Sequence, residues 1–192
     1  HGAVGRDSSF EPPHLFLNEK ALAERYIRIP TKGTDAPEVG HTALISEFID
    51  LAVPYASQLP DQVFVKPWSA ACEEASILMV EQFYLGNKNE FFPKEEGKQK
   101  MNALFTWEDA NFGFNDDTDA SSTARLINER AAFTANVKSN PTLEEIKNEL
   151  KNNRPVISMH DGRRLNNPYL HFSKEGPGYH VIVLKGYDNE KK

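Results

Sequence analysis

Pro67-Trp68-Ser69-Ala70-Ala71-Cys72-Glu73-Glu74-Ala75-Ser76-Ile77-Leu78-Met79-Val80-Glu81-Gln82-Phe83-Tyr84-Leu85-Gly86 is the stretch on which the fold turns. Ala71, Ala75, Leu78, Met79, Phe83 and Leu85 mostly recur at helical spacing. Ser69 is a good N-cap and Gly86 a natural residue just past a helix end, which predicts a helix from about residue 70 to residue 85. Its first turn carries the chain's single cysteine, Cys72. An intramolecular disulfide is therefore impossible. Cys72 is either a small inert core residue or a nucleophile. The unpaired amides and dipole of a helix start favour an anion, so a thiolate would be stabilised there.

Downstream, further helices are predicted near residues 95–105 and 122–130. Thr142-Leu143-Glu144-Glu145 is a capping box that starts another, with Leu143, Ile146 and Leu150 as its apolar face and Asn152-Asn153 at its end. Pro155-Val156-Ile157-Ser158-Met159 reads as a buried strand, residues 161–178 as a Gly- and Pro-containing loop, and Tyr179–Tyr187 as the strongest strand in the chain. Upstream, Leu51, Val53 and Tyr55 alternate like a strand, with Pro54 marking an edge or an end. Ser57–Asp61 is loop chemistry. Residues 1–49 read as an N-terminal arm, broken by Pro12, Pro13, Pro30 and Pro37, whose short apolar piece Leu15–Leu17 would pack on the main domain of residues 50–192. Helices come first and strands dominate late, which is an α+β layout.

Composition narrows the function. With 192 residues the chain is long enough to bury a core without disulfide staples. Its 39% hydrophobic and 26% charged residues mark a globular protein, and the net charge of −6 with no Lys/Arg cluster argues against nucleic acid as a partner. The longest apolar run is a few residues around Val181–Leu184, so no membrane span is expected. His1–Asp7 has neither an initiator Met nor a signal-type hydrophobic region and reads as a trimmed start.

Three residues could carry chemistry together. His180 opens the last strong strand, where a side chain can project and act as a base, and Gln58 lies in a polar loop from which an amide could reach an oxyanion. Each alone has an ordinary structural reading. The order Gln, then Cys at a helix start, then His on a late strand is that of papain-like enzymes. His160 and His171 with His180 could be drawn as a metal site, but no tight His spacing supports one and none is assigned. Asp116-Asp117 with Asp119 lacks the Gly and closing Glu of a calcium loop and reads as a solvated turn. Trp68, Trp107, Phe91 and Phe92 read as core or cleft-wall residues.

Val53-Pro54-Tyr55-Ala56-Ser57-Gln58, Trp68, Cys72–Met79, Arg154–Ile157 and Tyr179–Asp188 together resemble the C39-like peptidase family of bacterial papain-fold proteins. The resemblance covers roughly residues 50–188. It implies a Cys-bearing helix packed on an antiparallel sheet that carries His. It further implies Cys72 as nucleophile, His180 as general base and acid, Gln58 as oxyanion donor, a peptide or protein substrate, no cofactor, and a secreted or cell-envelope location. Two departures stand out. Glu73 replaces the Gly that often follows the nucleophile, and a carboxylate facing the sulfur would oppose thiolate formation. The Asp or Asn that orients the family's His is expected on a strand beyond Lys192. Both departures keep open a non-catalytic peptide-binding module on the same fold, and the same trio could serve a related acyl transferase.

Overall fold

The computed structural model describes residues 25–28, 48–165 and 178–190. Among these residues six strands and four α-helices follow in chain order: β1 (Arg25–Arg28), β2 (Phe48–Asp50), α1 (Cys72–Tyr84), α2 (Lys94–Asn111), α3 (Ala120–Arg130), β3 (Asn136–Ser139), α4 (Leu143–Lys151), β4 (Val156–Asp161), β5 (Tyr179–Leu184) and β6 (Gly186–Asp188). A four-stranded antiparallel sheet has the order β3-β1-β4-β5, and β2 pairs separately with β6. Mixed helix and antiparallel sheet bear out the α+β expectation. No described helix is long and apolar enough to cross a membrane.

The central helix α1 is buried almost all round, as a helix must be when layers cover it on both sides. Ile77 and Val80 join Ala124, Ile127, Ile157 and Val181 in one core cluster, while Ala75 and Leu78 join Phe92, Met101 and Phe105 in another. The predicted cap Ser69 is not the cap. Trp68–Ala70 forms a 3-10 turn and Ala71 occupies the cap position without a side-chain bond. Trp68 packs edge-on against Phe105 at 5.7 Å, which ties that turn to α2 and moves the helix start to Cys72. At the other end Gly86 adopts φ +77°, the left-handed conformation glycine tolerates best.

The remaining elements follow local chemistry. Asp119 caps α3 by accepting the Ser122 N–H at 2.8 Å. The capping box of α4 is present: Thr142 Oγ1 accepts the Glu145 N–H at 3.2 Å, and the Glu145 carboxylate accepts the Thr142 N–H at 2.8 Å. In α2, Gly97, Met101, Phe105 and Glu108 share one buried face, so the helix runs past the expected 105 to Asn111.

Two strand expectations need correction. Residues 51–55 are not a strand. Pro54 has no N–H to donate, and Tyr55 makes only an isolated bridge with Phe91. The Tyr179–Tyr187 run breaks at Lys185, whose carbonyl accepts the Leu51 N–H at 2.8 Å, and the chain then pairs with β2 as β6. Gly186 permits this crossing, because a Cβ there would lie 2.1 Å from the Ile49 carbonyl oxygen. Within the segment expected to be an arm, Arg25–Arg28 forms β1 between β3 and β4. Four residues are too few to show a period. Leu15–Leu17 lies outside the described residues.

Alternation along β5 sorts its two faces. Tyr179, Val181 and Val183 face α1, whereas Ile182 and Leu184 join Ile146, Leu150 and Val156 in the cluster under α4. Alternation therefore turns Tyr179 and Val181 toward the start of α1 and places His180, opposite His160, at a register position on the Ile182 and Leu184 face.

Candidate active site

Cys72 is the first residue of α1 and is 6% exposed, in contact with the cluster of Ile157, Met159 and Val181. The thiol thus sits against β5 one residue beyond His180. Ser76 accompanies it, donating its hydroxyl to the Cys72 carbonyl at 2.7 Å.

His180 lies directly across the β4–β5 ladder from His160, with the two rings edge-to-face at 6.1 Å. Burial lowers the pKa of His180 to about 4. Burial, then the neighbouring His180, does the same to His160. Both imidazoles are neutral near pH 7, and His180 is in the form a general base requires. Gln58 is half-buried, and its side-chain amide donates to the Trp68 carbonyl at 3.4 Å, in the turn that delivers Cys72. His171 lies outside the described residues.

The charge around the sulfur is negative. Cys72 Sγ donates to Glu73 Oε2 at 3.0 Å, so the carboxyl does face the thiol. Burial, then the charge of Glu73, pushes the thiol well above its ordinary value. Glu73 and Glu74 are each 1% exposed, and Glu108 of α2 is completely buried. Glu73 Oε1, Glu74 Oε2 and both oxygens of Glu108 lack hydrogen-bond partners among the described residues. Burial raises the carboxyls of Glu73 and Glu108 to about 7 and that of Glu74 well above its usual range. Tyr179, just before His180, donates its hydroxyl to the Thr118 carbonyl at 2.6 Å and stands against Glu73.

Sequence reasoning did not assemble this acidic group. Glu73-Glu74 in a first helical turn looks like ordinary dipole compensation. The signal was in α2, where Glu108 follows Met101 and Phe105 on an otherwise apolar stripe. Other candidates have structural work: Asp116 pairs with Lys66, Asp119 caps α3, and Trp68 and Trp107 pack edge-to-face with Phe105 and Phe112. Among the described residues no group of three His, Cys, Asp or Glu side chains could hold a metal ion.

A cysteine at a central helix start, set beside a histidine-bearing strand, defines a candidate thiol site. Residues 50–192 match the Peptidase_C39 like family, and the chain belongs to that family. No curated protein and no solved structure matches it.

Proposed function

We propose that this protein is a thiol peptidase of papain-like type, with Cys72 as nucleophile, His180 as general base and acid, and Gln58 as an oxyanion donor. The observation that carries the reading is the packing of Cys72 with Val181, the residue after His180, in one buried cluster. Neutral His180 accepts the thiol proton as the sulfur attacks a peptide carbonyl. The oxyanion takes the Cys72 backbone N–H, and the Gln58 amide joins it on leaving the Trp68 carbonyl. His180 returns the proton to the departing amine, and water then hydrolyses the thioester.

A non-catalytic peptide-binding module is the second reading. It is favoured by two observations: the thiol is buried and hydrogen-bonded to Glu73 as a donor, and His180 alternates onto the Ile182 and Leu184 face of β5 rather than the face that packs on Cys72. Digestion of a mixed peptide library, followed by mass spectrometry, separates the two. Cleavage lost in both Cys72→Ser and His180→Ala supports the peptidase. Absence of cleavage, with Cys72 alkylated no faster than a free thiol in mild acid, supports the binding module.

A further inference from the structure

The 3.0 Å contact between Cys72 Sγ and Glu73 Oε2 joins the sulfur to a wholly enclosed carboxyl. The groups facing Glu73 are Cys72 and Glu74 on α1, Tyr179 on β5 and Asp117 in the loop before α3. Glu108 on α2 faces Glu74 and also feels the charge of Glu73. Lys66 pairs with Asp116 and acts on Asp117 from an exposed position. Among the described residues no Lys or Arg forms an ion pair with Glu73, Glu74 or Glu108. Three enclosed carboxyls without a counterion cannot all be ionised, so the group must retain protons.

We propose that Glu73 is the proton-holding partner of Cys72: as a carboxylate it accepts the S–H and keeps the sulfur protonated, and as a neutral acid it donates to the sulfur and lets the thiolate form. The proposal rests on the thiol-peptidase reading only in taking His180 as the destination of the sulfur's proton. The proton balance is simple. Glu73 takes one proton from solvent through its carboxylate oxygen. The S–H proton then passes to His180, and the Glu73 O–H turns to the sulfur. Sulfur and carboxylate never carry negative charge at 3.0 Å together. The burial that holds Glu73 neutral until about pH 7 places the change within the working range of a hydrolase. Glu74 and Glu108 reinforce it, since any charge on them raises the cost of ionising Glu73.

The test is the rate of Cys72 alkylation by iodoacetamide in wild type and in Glu73→Gln, with the ultraviolet absorbance of the thiolate as a second readout against a Cys72→Ser blank. The Gln variant imitates neutral Glu73 at every pH. Its rate should match wild type at about pH 5.5 and exceed it by about tenfold or more at about pH 8.5, one pKa unit being a tenfold change in thiolate. Should Glu73→Gln fail to fold, Glu73→Asp withdraws the charge from the sulfur by one methylene and should raise the rate at the alkaline end in the same sense. A ratio that stays flat with pH overturns the proposal. So does slower labelling of Glu73→Gln at all pH values, which would make Glu73 a base that activates the thiol. The peptidase reading fails separately: a pH-dependent ratio in a protein that cleaves no peptide leaves Glu73 in its role and removes the hydrolysis.

Discussion

Replacing Glu108 by Gln should stabilise the protein above neutral pH and leave it nearly unchanged in mild acid. Glu108 is completely buried on the apolar stripe of α2, with neither carboxyl oxygen hydrogen-bonded among the described residues. Burial raises its carboxyl from 4.5 to about 7. The folded state therefore binds this proton more tightly than the unfolded chain. The associated stability is complete below about pH 4.5 and is lost as pH rises through about 7. At about 1.36 kcal/mol for each tenfold change in proton affinity, the loss is ~3 kcal/mol. A Gln has no proton to lose, so the difference in unfolding free energy between variant and wild type should grow from near zero at about pH 4.5 to ~3 kcal/mol at about pH 8. The wild-type profile alone would not show this. His160 and His180 are held near 4 against 6.5 in the unfolded chain, so stability rises with pH across that window and offsets the carboxyls. Subtracting the two proteins' urea-unfolding curves, measured side by side across that range, cancels the histidines. A difference that does not change with pH, or a variant weaker than wild type at about pH 8, would refute the argument that Glu108 is a buried carboxyl held neutral by its surroundings.

Gln58→Ala should lower peptide turnover by about 10²–10³ with little change in the unfolding midpoint, read from kcat/KM and thermal melts. Undiminished turnover would remove Gln58 from the site. Gly186→Ala should cost about 2 kcal/mol or more in urea unfolding, because the new methyl would strike the Ile49 carbonyl at 2.1 Å and force β2 off β6. A loss under about 0.5 kcal/mol would show that the crossing has slack.

The parts of the fold legible in the sequence were those set by local chemistry. Thr142 and Glu145 announce α4 because a capping box is complete within four residues. Asn152-Asn153 and Gly86 mark helix ends because left-handed backbone is tolerated by few residues, and Asn153 and Gly86 do adopt φ of 58° and 77°. Long-range decisions were hidden. Nothing local in Arg25–Arg28 foretells two strand partners, and nothing in Val183-Leu184-Lys185 foretells a break there, since the cause is Leu51 arriving from elsewhere. The candidate site divides in the same way. Cys72 and His180 stand out by residue type and order, while the burial of Glu73, Glu74 and Glu108 arises only when α2 folds over α1. A charged residue in sequence carries a strong expectation of solvent, and here three depart from it together.

Strand β1 imposes an order of events on the chain. It is made first, yet Arg25 meets Ser139 on one side and Met159 on the other, so it must wait for residues synthesised much later before it can seat. Until then β3 and β4 have no direct bond to each other, and each presents an open edge. The sheet is closed from its middle by its earliest segment, as a wedge closes an arch. A protein cut at residue 50, where the family match begins, would keep Cys72, His180 and Gln58 and lose that wedge. The β4–β5 pair beside Cys72 would then end at β4, with a bare backbone edge where β1 had been.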